Sequence, residues 1–162
     1  MSFENMQIVS IDDNENNLFL IEAICSDMDL HVKSFADPLD ALVYCLQNPV
    51  DMILTDFMMP NLNGLQFIEE FRKTKKHIPI VMITAIGDDE NVHKQAFDLG
   101  ANDFLNKPLN AVIFKARVFN LITNHQNRIL LEDRTKLLQS EVEKATKNLL
   151  DREHETLQIL GK

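Results

Sequence analysis

The chain has 162 residues, 45% of them hydrophobic, and a net charge of −9, which suits one globular domain plus an extension. Residues 1–123 hold 9 Lys and Arg against 18 Asp and Glu, while residues 124–162 hold 7 of each, so the acidic part disfavours nucleic acid and anionic membranes and favours a divalent cation. No run reaches the length of a membrane span and no basic segment leads into a long apolar one at the N-terminus, so a cytoplasmic protein without a secretory leader is expected.

Gln7–Ile11 is a short apolar run that reads as a strand and ends at Asp12-Asp13-Asn14. A helix follows, with Leu18, Ile21, Glu22 and Cys25 at helical spacing. His31–Phe35 reads as a second strand. Asp37 and Pro38 then supply an N-cap and a first helical residue, and Ala41, Leu42, Cys45 and Leu46 give that helix its apolar side. Cys25 and Cys45 both fall in apolar helical patterns without metal-ligand spacing, so buried thiols are expected rather than a disulfide. Asp51–Asp56 is the third strand, Pro60, Asn61, Asn63 and Gly64 mark a loop, and Gly64–Lys75 is the third helix. Ile78–Thr84 is the most apolar strand, as a strand covered on both faces requires. Asp88–Leu99 is the fourth helix, ended by Gly100; Asp103-Phe104-Leu105 is a short fifth strand; Lys107-Pro108 and a fifth helix from Leu109 follow.

Strand and helix thus alternate five times, which predicts an α/β fold with a parallel sheet covered on both faces. The flavodoxin-like strand order 2-1-3-4-5 fits this count. From Leu109 to Leu160 there is neither Gly nor Pro. One continuous helix there would be about 78 Å long. Its start, with Val112, Ile113, Ala116 and Phe119, is expected to pack on the domain. Further on, Leu131, Leu138, Val142, Ala145 and Leu149 form a coiled-coil seam interrupted by Arg128, Thr135, Arg152 and Thr156, which points to a parallel dimer, with a single solvated helix as the alternative. The expected organisation is a domain over 1–123 and a helical extension over 124–162.

Asp12, Asp13, Asp56, Thr84 and Lys107 all fall at the carboxyl ends of strands, where open α/β sheets place their chemistry. Each alone has a plain structural reading: Asp12-Asp13 or Asp56 as a helix cap, Thr84 as a strand end, Lys107 as a loop charge. Three carboxylates in one pocket repel unless a cation intervenes, and a hard divalent ion with oxygen ligands resolves this. With such an ion and Lys107 the group is formally neutral. A carboxylate can then accept a phosphoryl group as nucleophile, while the metal and Lys107 stabilise the charge in transfer and the Thr84 hydroxyl bonds a phosphoryl oxygen.

Residues 4–123 resemble the response-regulator receiver domain of the two-component signalling family. The matching pieces are Asp12-Asp13 after the first strand, the run from Asp56 through Phe57, Met58, Met59 and Pro60 to Gly64, Ile83-Thr84-Ala85, Gly100-Ala101, and Asp103-Phe104 through Lys107-Pro108. The resemblance implies Asp56 as phosphoacceptor from a sensor histidine kinase or phosphotransfer protein. It implies Mg²⁺, for which Mn²⁺ could substitute, held by Asp13, Asp56 and the main-chain carbonyl of Met58, with Asp12 acting through water. It implies Thr84, Ala85 and Lys107 as phosphoryl-binding residues, Thr84 and Phe104 as a switch pair, and a cis bond at Lys107-Pro108 as an open possibility. The output would be the face of helix four, strand five and helix five, leading into the long helix and controlling homodimerisation.

The extension, through Leu131–Leu138, Glu141–Thr146 and Arg152–Leu157, resembles the linker helix between a receiver and an HD-GYP cyclic-di-GMP phosphodiesterase domain, of which the chain itself has no motif. No enzyme is expected in the chain beyond its own phosphoryl acceptance; a degenerate or stand-alone receiver acting as a dimerisation or adaptor module is the alternative. A haloacid-dehalogenase-like phosphatase would need an acid where Met58 stands. A flavodoxin would need a hydroxyl- and Gly-rich loop where Asp12-Asp13-Asn14 stands. Apolar Met58 and Ile86, flanking the acceptor, cannot orient an attacking water, so slow self-dephosphorylation is expected.

Overall fold

Short apolar runs alternating with amphipathic segments produce β1 (Gln7–Ile11), α1 (Glu15–Ser26), β2 (His31–Phe35), α2 (Pro38–Gln47), β3 (Met52–Asp56), α3 (Gly64–Arg72), β4 (Ile80–Ala85), α4 (Glu90–Leu99), β5 (Asp103–Lys107) and α5 (Ala111–Leu160). The computed structural model describes residues 2–85 and 90–160, with side chains as far as His154. Ile86 and the first two residues expected of the fourth helix, Asp88 and Asp89, lie outside the described residues.

The five strands form one parallel sheet in the order β2-β1-β3-β4-β5. This is the flavodoxin-like arrangement expected from the alternation. Period-two alternation divides each central strand between two apolar layers. Ile8, Met52, Leu54, Val81 and Ile83 pack with Ile21, Ile24 and Cys25 of α1 and with Phe114, Val118 and Ile122 of α5. Val9, Ile53, Ile80 and Met82 pack with Ala41 and Cys45 of α2, Phe67, Ile68 and Phe71 of α3, and Ala96 of α4. Both cysteines are free and buried, and burial pushes each thiol up to about 12, so neither is reactive.

Two compact units are present, Met1–His125 and Gln126–Lys162. Within the first, α5 packs differently from expectation. The buried stripe is Phe114, Val118, Ile122 and His125, whereas Val112 is 78% exposed and Ile113, Ala116 and Phe119 also face solvent. The Asn110 side chain accepts from the N–H groups of Val112 and Ile113 and fixes where the helix starts. The segment is apolar on nearly every side, so periodicity alone does not choose the stripe that the sheet covers. Phe119 keeps an edge contact with Phe3, with ring centroids 5.9 Å apart.

At the end of the sheet away from Asp56, Asp51 ties three elements. Its Oδ2 accepts from the Gln7 N–H (2.8 Å) and its Oδ1 lies 3.2 Å from His125 Nε2 on α5. The carboxylate only accepts, so Nε2 is the donor. Arg72, at the end of α3, makes a second clamp: its guanidinium donates to the carbonyls of Gly100 and Lys75 and to Asn102 Oδ1.

In the second unit, every side chain from Leu131 to His154 is exposed, including Leu131, Leu138, Val142, Ala145 and Leu149. Arg128 pairs with Glu132 along the helix. Among the described residues no helix is long and apolar enough to cross a membrane.

Candidate functional site

The plain structural readings of the acidic residues fail first. The N-cap of α1 is Asn14, whose side chain accepts from Asn16 N–H, and not the preceding aspartates. The cap of α3 is Asn63, in a capping box with Gln66, and not Asp56. Asp56 ends the fully buried strand β3 and is itself only 6% exposed. Among the described residues, the caps of α1, α2 and α3 are Asn14, Asp37 and Asn63, and none uses the Asp56 carboxylate.

The carboxylates of Asp12, Asp13 and Asp56 converge, with one oxygen from each lying within 4.8 Å of the others. Lys107, at the end of β5, places Nζ 3.1 Å from Asp56 Oδ2 and 3.3 Å from Asp12 Oδ2. The second contact is an ion pair without hydrogen-bond geometry, since Asp12 Oδ2 has no hydrogen-bond partner. Asp12 Oδ1 accepts from Asn14 N–H (2.9 Å), which leaves Oδ2 aimed into the pocket. Burial, then the Asp12 charge, hold the Asp56 carboxyl above the ordinary aspartate value, against the opposing pull of Lys107 and the Phe57 N–H. Burial opposes the charge on Lys107, but its bond to Asp56 and the negative charges of Asp12 and Asp56 outweigh this and raise its pKa.

A hard cation fits this donor set. Oxygens opposite one another on Mg²⁺ are about 4.2 Å apart, so the observed cluster needs only a small closure, or one water, to share an ion. Buried carboxylates crowded beyond what one lysine neutralises are the chemistry such an ion satisfies.

The register of β3, β4 and β5 sets the rest of the site. Asp56 pairs with Ile83, so Thr84 stands one residue beyond, and Thr84 and Ala85 pair with Asn106 and Lys107. Thr84 is fully buried and its hydroxyl donates to Asn106 Oδ1 at 3.3 Å. Phe104 packs its ring against His93 (centroids 4.4 Å apart) and Phe97 (4.7 Å) of α4. Met58 is exposed at the rim, whereas Met59 is buried. Gly64 lets the start of α3 approach the strand end: a Cβ there would meet the Asp56 carbonyl oxygen at 2.7 Å. The Lys107-Pro108 bond is cis.

Asp12, Asp13, Asp56 and Lys107 are therefore brought together, with Thr84 and Ala85 on the adjoining strand. The five seam positions of the extension lie in the second unit, apart from this cluster in the chain. Sequence reading gave no role to Asn106 or His93. The pairing of Asn106 with Thr84 follows from the β4–β5 register and the ring contact of His93 with Phe104 from helix packing, and neither has a signal in the sequence.

Residues 8–119 match the response regulator receiver domain family. Over 161 residues, 97% of the chain, the sequence is 34% identical to the cyclic di-GMP phosphodiesterase response regulator RpfG of Xanthomonas campestris pv. campestris, of which it spans 42%. The chain spans about half the length, or less, of the curated relatives it matches. Among solved structures, a putative response regulator from Chloroflexus aurantiacus is similar at 27% identity and a TM-score of 0.69, covering 73% of this chain and 98% of that one. The receiver domain of the sensor histidine kinase PA1611 from Pseudomonas aeruginosa, with a magnesium ion coordinated in its active-site cleft, is similar at 26% identity and a TM-score of 0.66, covering 73% and 98%. On the strength of that match, and with the fold and the acidic strand-end pocket in place, the chain belongs to the response regulator receiver family, a phosphoryl-accepting signalling module of two-component systems.

Proposed function

We propose that Asp56 accepts a phosphoryl group from the phosphohistidine of a sensor histidine kinase or phosphotransfer protein. The observation that carries this reading is the convergence of three carboxylates on one another and of Lys107 on two of them. A carboxylate oxygen of Asp56 forms the new P–O bond as the P–N bond of the donor breaks and the imidazole leaves with the electron pair. Asp12, Asp13, Asp56 and the Met58 carbonyl would hold Mg²⁺, or Mn²⁺ in its place, which supplies Lewis-acid stabilisation of the charge on the transferring group. Lys107 shifts from pairing with Asp56 to pairing with the phosphoryl oxygens, and the Thr84 hydroxyl and Ala85 N–H are the further donors. The magnesium ion coordinated in the cleft of the similar PA1611 receiver supports this choice of ion.

The switch then shifts a two-state equilibrium in Thr84 and Phe104 and passes to the α4-β5-α5 face. Exposed Phe97 on α4, and Val112 and Ile113 on α5, support that face as an interaction surface. The apolar seam Leu131, Leu138, Val142, Ala145 and Leu149, exposed in the second unit, supports a homodimer through residues 124–162. The likeness to RpfG runs through the extension as well as the receiver, which supports reading residues 124–162 as a linker to an HD-GYP-type output. The chain then acts as a cytoplasmic switch rather than as an enzyme.

Intact mass after incubation with Mg²⁺ and acetyl phosphate tests the acceptor. One added phosphoryl group, absent from Asp56→Ala, is the expected result. Failure of the wild type to take either acetyl phosphate or beryllofluoride would leave the degenerate receiver, a constitutive dimerisation module, as the better reading. Sedimentation with and without beryllofluoride tests the output: dimer affinity should change, and Leu138→Arg should abolish the dimer.

A further inference from the structure

The Thr84 hydroxyl is fully buried and has one hydrogen to donate. In the resting molecule that hydrogen goes to Asn106 Oδ1 on the neighbouring strand. The register fixes the pairing: Thr84 stands directly opposite Asn106, and both side chains rise from the same face of the β4–β5 ladder. A phosphoryl oxygen on Asp56 would compete for the same hydrogen, and the two bonds are mutually exclusive.

Resting on the assignment of Asp56 as acceptor, we propose that Asn106 is a positioning residue that retains the Thr84 hydroxyl on β5 and thereby sets how readily the receiver enters its phosphorylated conformation. Two features suit it to the task. The bond is long for a hydroxyl donor, at 3.3 Å, so it opposes the switch without blocking it. Asn106 is exposed on the edge strand, so its amide passes to water when Thr84 leaves and no buried polar group is stranded. Bonds to a charged acceptor are stronger than neutral ones, so the phosphoryl group prevails but yields part of its gain to breaking the retaining bond. Loss of the Asn106 carbonyl also strands the buried Thr84 hydroxyl in the resting state, which pushes the equilibrium the same way.

The test is calorimetric titration of beryllofluoride at saturating Mg²⁺, and of Mg²⁺ alone, into the full chain and its variants. Asn106→Ala should bind beryllofluoride about two to five times more tightly than wild type, the range set by one weak hydrogen bond. Its affinity for Mg²⁺ alone should be unchanged, which separates retention of Thr84 from any change in the field of the pocket. The tightening should vanish in a Thr84→Ala background and return in a Thr84→Ser background, which restores the hydroxyl. Equal beryllofluoride affinity in wild type and Asn106→Ala, or the same tightening without the Thr84 hydroxyl, would overturn the proposal. Wild-type protein that takes no beryllofluoride would overturn the acceptor assignment itself, and this proposal with it.

Discussion

Replacing Asp56 with Asn should stabilise the metal-free protein. In the folded state Lys107 Nζ, 3.1 Å away, attracts the Asp56 carboxylate by about 5 kcal/mol at an effective dielectric of 20. Asp12, whose converging oxygen lies within 4.8 Å, repels it by about 3.5 kcal/mol on the same scale. Exposed Asp13 adds about 1 kcal/mol after screening. These terms nearly cancel, so burial decides, and it acts against the charge, in line with the upward pKa of Asp56. Asparagine keeps the shape and removes the charge, for a gain of about 1–2 kcal/mol. In a unit of this size that is a rise of about 3 to 8 °C in Tm by scanning calorimetry in chelator. Mg²⁺ should reverse the order, because an ion at about a hundred times its dissociation constant adds about 2.7 kcal/mol to the species that binds it. The pH dependence has a definite sign. A carboxyl whose folded pKa is raised contributes most below the ordinary aspartate value and loses that contribution as pH rises through the raised value. The gap between wild type and variant is therefore widest near neutrality and closes in acid. An Asp56→Asn variant that melts below wild type in chelator, or a gap that widens on acidification, would refute the reasoning.

Arg72→Ala should cost about 2–3 kcal/mol in urea unfolding, because it leaves the carbonyls of Gly100 and Lys75 without their guanidinium donor. Met58→Asn should shorten the lifetime of the phosphorylated form several-fold, measured by loss of the mass adduct, because an exposed amide at the rim can hold a water that methionine cannot. Gly64→Ala should lower stability by about 2 kcal/mol in chemical denaturation, because its Cβ would press on the Asp56 carbonyl oxygen, a backbone atom.

The order of elements was legible because each strand is a short apolar run and each helix is bounded by turn or cap residues. β1 and β2 have the bounds expected of them. Other ends moved for local reasons. β4 starts at Ile80 rather than Ile78 because Pro79 lacks an N–H, and it joins the ladder only through its carbonyl, which accepts from Ile53. β5 extends through Asn106 and Lys107 because backbone pairing with Thr84 and Ala85 is indifferent to polar side chains. α3 stops at Arg72, where Lys73–Lys75 turn back and the Arg72 side chain takes the Lys75 carbonyl. The candidate site was legible because its residues share one property, a position just past an apolar run. Asn106, His93 and Asp51 were not, since their partners are set by register and helix packing.

The tie between Asp51 and His125 bears on how this receiver can be recombined. The matched family segment stops at 119, yet Ile122 and His125 still belong to the packed face of α5. A chimera joined at residue 119 would remove Ile122 from the apolar layer and leave one oxygen of the Asp51 carboxylate without its imidazole partner. Modularity here is a property of packing rather than of motif boundaries. A graft that joins this receiver to another segment should keep its own chain through His125 and place the junction beyond it.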